Sequence, residues 1–168
     1  QQFPIEQTLR NGTQTFEDLF AYDSESLSLL RTIIADRVTK FLSGLMKQSQ
    51  HPFLKQLPCD FTFNNSWSVK LSSNGFHKSH FHEQGWLSGV FYVEAPKAAA
   101  SGGQGWLQFG KSEIIGLMDE YDYAVKPESG LLVLFPSFFW HGTIPFESDE
   151  TRLSVVVDII PNSTSRAN

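Results

Sequence analysis

Three of the five histidines fall within six residues, as His77, His80 and His82. His80 and His82 flank Phe81, so in an extended segment both imidazoles leave the chain on the same face. Spaced about 6–7 Å apart along the backbone, such a pair can reach one metal ion. A histidine alone in a strand is as readily a polar neighbour, so a metal reading needs a further ligand, distant in sequence and near in the fold. His141 is the candidate. It follows the apolar run Leu131–Phe135 and the turn Pro136-Ser137, within Phe138-Phe139-Trp140-His141-Gly142. That much aromatic surface desolvates an imidazole and favours the neutral, ligating form. The same surroundings suit a core histidine bonded to backbone, and both readings stay open at this point.

Arg152 poses a second question. It lies eleven residues beyond His141 and opens the apolar stretch Leu153–Ile160. A guanidinium in the interior is costly unless an anion meets it. Ser154, two residues on, shares its face of a strand, and a guanidinium with a hydroxyl makes a carboxylate clamp. A salt bridge to a neighbour such as Asp158 is the competing explanation.

These groups need a scaffold to bring them together, and the pattern of the chain supplies one. From Asp23 to about Gln50, Leu27, Leu30, Ile34, Val38, Phe41 and Leu45 recur every three or four residues. That spacing predicts an amphipathic helix with Asp23 or Ser24 at its N-cap, packed against a sheet. After Pro58 the period shortens, and strands are expected at Phe61–Ser72, Trp86–Glu94, Gly105–Phe109, Asp122–Lys126, Gly130–Phe135, Phe139–Pro145 and Arg152–Ile160. Turn-forming clusters separate them, including Ser73-Asn74-Gly75 and Pro127-Glu128-Ser129-Gly130. Ala98–Gln104 reads as a loop too short to link domains. So many short strands behind one or two helices predict a mainly β sandwich or jelly roll.

Composition narrows the function classes. With 168 residues, 40% of them hydrophobic, the chain fits one domain with a full core. The 15 Phe, 4 Trp and 4 Tyr suit a sheet-based core. A net charge of −5 without a basic run argues against nucleic acid as a partner. No apolar run approaches the ~18 residues of a membrane span. One cysteine, Cys59, excludes an internal disulfide, and Gln1-Gln2-Phe3-Pro4 has no leader-like pattern; together they point to the cytoplasm. The chain does not start with Met, so flanking domains are compatible with it.

Three stretches resemble the 2-oxoglutarate- and iron(II)-dependent oxygenases, and within them a branch of small proteins. They are His80-Phe81-His82-Glu83-Gln84-Gly85-Trp86-Leu87-Ser88-Gly89-Val90-Phe91-Tyr92-Val93, then Pro127–Ser137 followed by His141-Gly142 and Pro145, and last Arg152-Leu153-Ser154. The resemblance covers roughly Asn65 to Ile160. It implies a double-stranded β-helix (a cupin-like jelly roll) over residues 59–162, buttressed by one or two helices within residues 1–58, all in one oxygenase domain. It further implies iron(II) on His80, His82 and His141. The co-substrate 2-oxoglutarate would be anchored by Arg152 and Ser154 with help from Tyr92. The expected reaction is hydroxylation of a small-molecule or peptide substrate coupled to formation of succinate and carbon dioxide. Trp67, Trp86, Phe138 and Trp140 are candidates for the substrate pocket, or for core.

One departure matters. The wider superfamily binds its metal with two histidines and a carboxylate, and here His82 stands where that carboxylate is expected. Glu83 would point to the opposite face of a regular strand, and His77 needs a bend at Gly75-Phe76 to come round. A three-histidine site also keeps two other readings open. One is a thiol dioxygenase that uses no 2-oxoglutarate. The other is a non-catalytic jelly-roll module that binds metal.

Overall fold

The computed structural model describes residues 8–45, 50–51, 53–54, 57–114 and 120–162. The predicted helix is α1, Glu25–Gly44, with Ser24 at its N-cap; the expected turns from 46 to 49 lie outside the described residues. Ile34, Val38 and Leu42 are its buried stripe. Each such side chain contributes roughly 1.5–3 kcal/mol on leaving water, so the helix is held by docking more than by its caps.

Among the described residues eight strands follow the order β1 (Leu9–Gln14), β2 (Phe61–His77), β3 (Leu87–Glu94), β4 (Leu107–Phe109), β5 (Tyr123–Val125), β6 (Leu132–Pro136), β7 (His141–Thr143) and β8 (Arg152–Pro161). Every strand expected from the sequence is present. They form an antiparallel five-stranded sheet, β1-β2-β8-β3-β6, and a three-stranded sheet, β5-β4-β7. The fold is a jelly roll with α1 on its outside.

The strand period of two sorts the side chains of the large sheet. On β8, Val155, Val157 and Ile159 face α1 and join a cluster with Ile34, Val38, Leu42 and Leu87. Val156 instead faces the second sheet, in a cluster with Val69, Leu71, Tyr92, Leu107 and Phe146. Arg152, Ser154 and Asp158 have the same parity as Val156, so the polar residues of β8 lie on the inner face, between the sheets. On β2 the pairing with β8 slips between Phe63 and Asn65. This bulge lets Phe61 and Phe63 pack on the helix side, while Trp67, Val69 and Leu71, of the same parity, pack inside.

Two features go beyond the sequence expectation. β2 runs on to His77, and β1 pairs along its far edge with a register shift between Arg10 and Gly12. Asn11 there has φ 47, and a Cβ on Gly12 would come within 2.7 Å of the Lys70 carbonyl oxygen, so only glycine fits this close approach.

Candidate metal and co-substrate site

Beyond β2 the chain stays extended long enough to meet β7. His80 and His141 form a single antiparallel bridge, with His80 N–H donating to the His141 carbonyl at 2.9 Å and His141 N–H returning a bond at 2.8 Å. His82 N–H donates to the Ser137 carbonyl at 2.9 Å. Backbone pairing thus fixes three histidines from two distant segments, and the i, i+2 alternation places His80 and His82 on one side. One ring nitrogen from each of His80, His82 and His141 lies within 4.8 Å of the other two. Ring centroids are 4.4 Å apart for His80–His141, 4.9 Å for His82–His141 and 5.3 Å for His80–His82.

The remaining ring nitrogens determine what the cluster can do. Nδ1 of His80 donates to the Lys78 carbonyl at 2.8 Å, and Nδ1 of His141 to the Phe139 carbonyl at 2.9 Å. Nδ1 of His82 meets Asp158 Oδ1 at 2.6 Å. A carbonyl or carboxylate oxygen only accepts, so each ring carries a proton on Nδ1 and leaves Nε2 as the atom that can face a metal. Burial pushes the His80 pKa down to about 4, with His82 adding to the shift. Burial holds His141 well below the usual histidine range, aided by His80 and His82. Both are therefore neutral at pH 7, as metal ligation requires. Three imidazoles with free Nε2 suit a divalent first-row metal such as iron.

His77 sits beside the cluster, its ring centroid 5.7 Å from that of His80, and burial drives its pKa well down. It lines the cavity without joining the three. Glu83 is exposed and stands outside the group. The position expected to carry a carboxylate is thus taken by His82, with a carboxylate behind it.

The same cavity is lined by Arg152, Ser154, Thr143 and Trp67. Arg152 is 2% exposed. Its Nη2 donates to Tyr92 Oη at 3.2 Å, and its guanidinium carbon lies 4.7 Å from the Tyr92 ring centroid, a cation–π contact. The competing explanation fails, because Asp158 pairs with His82 rather than with Arg152. The two are ~20 Å apart along β8, at ~3.3 Å per residue. Arg152 Nε and Ser154 Oγ are both buried without a hydrogen-bond partner. Buried polar atoms are nearly always partnered, and a guanidinium nitrogen with a hydroxyl in one cavity is the donor set that a carboxylate satisfies.

Of the four mouth aromatics, Trp67 borders the site, its ring 5.5 Å from His82. Trp86 stacks on Phe53 at 4.6 Å, in the helix-side cluster. Phe138 and Trp140 line a separate, open groove of about 660 Å³ with Phe109, Tyr123 and Phe135. That groove is lined by aromatic and aliphatic side chains with a single carboxylate, Asp122, whereas the histidines gather in the other cavity. Sequence reasoning missed the role of Asp158 and of Ser88, which donates to Asp158 Oδ1 at 2.7 Å. Their signal was strand parity: Asp158 sits on the inner face with Arg152 and Ser154, where a carboxylate needs a partner.

The family model described as "Putative 2OG-Fe(II) oxygenase" matches residues 65–158. Among solved structures, the chain is similar to a Pseudomonas putida prolyl-4-hydroxylase at 18% identity and TM-score 0.60, covering 94% of this chain and 75% of that one. A viral collagen prolyl hydroxylase from Paramecium bursaria Chlorella virus-1, in complex with 2-oxoglutarate, aligns at 16% identity and TM-score 0.58, over 94% and 82%. HygX from Streptomyces hygroscopicus, with nickel and 2-oxoglutarate bound, aligns at 10% identity and TM-score 0.57, over 95% and 74%. These likenesses show a shared fold. A search of curated proteins returns no match. No helix among the described residues is long and apolar enough to cross a membrane.

Proposed function

The chain belongs to the 2OG-Fe(II) oxygenase family, and from that premise we propose that it is a single-domain hydroxylase of a small-molecule or peptide substrate. The reaction is coupled to conversion of 2-oxoglutarate into succinate and carbon dioxide. His80, His82 and His141 would hold iron(II), with Nε2 of each ring free to face it. Arg152 and Ser154 take the distal carboxylate of 2-oxoglutarate, and Tyr92 fixes the guanidinium that does so. When bound, iron(II) would supply oxygen activation, with one atom of O2 going to succinate, the other to the hydroxylated product, and C1 of 2-oxoglutarate to carbon dioxide. Val90, Leu107 and Val156 line the cavity and keep water from it, which strengthens the ionic contacts inside.

The observation that carries this reading is the pair of buried orphan donors, Arg152 Nε and Ser154 Oγ, in the same cavity as the three imidazoles. A metal module without an acidic co-substrate gives them no purpose. The test is turnover with iron(II), O2 and labelled 2-oxoglutarate. Succinate and carbon dioxide should form in equal amounts, and Arg152→Met should lose the reaction at low 2-oxoglutarate. Iron-dependent oxidation of a thiol substrate with no succinate would overturn the proposal in favour of a thiol dioxygenase.

A further inference from the structure

Among the described residues Asp158 is the only buried carboxylate, 7% exposed. Its Oδ1 accepts from His82 Nδ1 at 2.6 Å and from Ser88 Oγ at 2.7 Å. Ser88 Oγ also lies 2.8 Å from Ser137 Oγ, and Ser137 gives its carbonyl to the His82 backbone. Gly85 leaves room for this cluster, since a Cβ there would stand 3.3 Å from Asp158 Oδ1 and collide with Ser137. No lysine or arginine among the described residues pairs with Asp158. A carboxylate in the interior with no cation is costly, so a compensating charge is expected nearby. The ring of His82 is the only basic group that meets Asp158 among the described residues, and a cation on its far side would supply that charge.

We propose that Asp158 is a positioning residue acting through His82. It fixes the ring with Nε2 toward the metal, and it supplies, one imidazole removed, the negative charge that a ligating carboxylate provides in a two-histidine, one-carboxylate site. This rests on the metal-site reading above. With it, the charges of a divalent ion, dianionic 2-oxoglutarate, Arg152 and Asp158 balance, which three neutral imidazoles alone do not achieve. Outer partners of a ligating histidine set its tautomer, orientation and basicity, and their loss typically weakens metal binding 10- to 100-fold.

The test uses the whole chain and cobalt(II) as an anaerobic spectroscopic probe. Asp158→Asn keeps the size and one acceptor oxygen and removes the charge. Cobalt affinity should fall about 10- to 100-fold, while the melting temperature of the metal-free protein holds or rises. In a His82→Ala background the same Asp158→Asn change should alter cobalt affinity less than about 2-fold, because a residue acting through His82 has nothing left to act on. An Asp158→Asn protein that binds as tightly as the parent, or an equal loss in both backgrounds, would overturn the inference. A second comparison does not depend on the fold of Asp158→Asn alone. His82→Asp sets a carboxylate against Asp158, so His82→Asp with Asp158→Asn should bind cobalt more tightly than His82→Asp by itself; the reverse order would also overturn it. If the parent binds cobalt but forms no succinate, the proposed function fails and this inference stands.

Discussion

Replacing Arg152 with methionine separates the cost of a buried cation from its use. In the metal-free protein the side chain gains one hydrogen bond to Tyr92 at 3.2 Å and a cation–π contact at 4.7 Å. Together these contribute roughly 2–3 kcal/mol. Against them stands the desolvation of a charge that pairs with no carboxylate, a cost of several kcal/mol. Methionine matches much of the volume and carries none of the charge. Metal-free Arg152→Met should therefore melt within about 4 °C of the parent or above it, at roughly 2–4 °C per kcal/mol for a chain this size. Binding of 2-oxoglutarate behaves in the opposite way. Without the guanidinium a carboxylate enters the cavity unpaired, a loss of about 3–4 kcal/mol, or roughly 10²–10³-fold in Kd. Thermal melts with and without metal and 2-oxoglutarate read both effects. At a concentration 100 times the parent's Kd, the parent should gain roughly 5–10 °C and the variant almost nothing. A metal-free melt lowered by 10 °C or more, with 2-oxoglutarate protection intact, would make Arg152 a structural residue and refute the argument.

Ser154→Ala removes a buried hydroxyl that has no partner. The metal-free melt should not fall, and the KM for 2-oxoglutarate should rise about 10- to 150-fold, the loss of one hydrogen bond to a charged group. The pH dependence of the metal-free protein follows from His80, at about 4 in the folded state against an ordinary 6.5, with His141 lowered in the same sense. Between those values the unfolded chain binds protons that the folded chain refuses. Stability is then full above about pH 6.5 and declines as pH falls toward 4; urea midpoints that stay flat across this range would contradict it. Ile159 is fully buried between β8 and α1, and Ile159→Ala should cost about 2–5 kcal/mol by chemical denaturation.

How far the sequence spoke depended on whether the deciding contact was local. The His80–His82 pair was legible because alternation in an extended segment needs only its own backbone, and Arg152 with Ser154 was legible for the same reason. Tyr92 was placed beside Arg152 by resemblance, and the register of β3 on β8, with Tyr92 opposite Ser154, accounts for the contact. The strands of the jelly roll showed as short apolar runs between turns. β1 did not, because Leu-Arg-Asn-Gly-Thr-Gln has little strand propensity and owes its form to the edge of β2. Nor was the choice of partner for Asp158 legible. Arg152 was closer in sequence than His82, but six residues of extended strand hold the two ~20 Å apart, while the fold brings His82 to Asp158 from 76 residues away. The bulge at Phe63 to Asn65, which sends residues of one parity to two faces, left no mark in the hydrophobic pattern.

The central claim is that His80, His82 and His141 hold a metal that shares one cavity, and one co-substrate, with Arg152. Anaerobic calorimetric titration of 2-oxoglutarate, with and without a stoichiometric divalent metal, tests it most directly. The account predicts tight binding that requires the metal, and a loss of at least 100-fold in His141→Ala under the same conditions. Equal affinity with and without metal, or His141→Ala binding as the parent does, would contradict it.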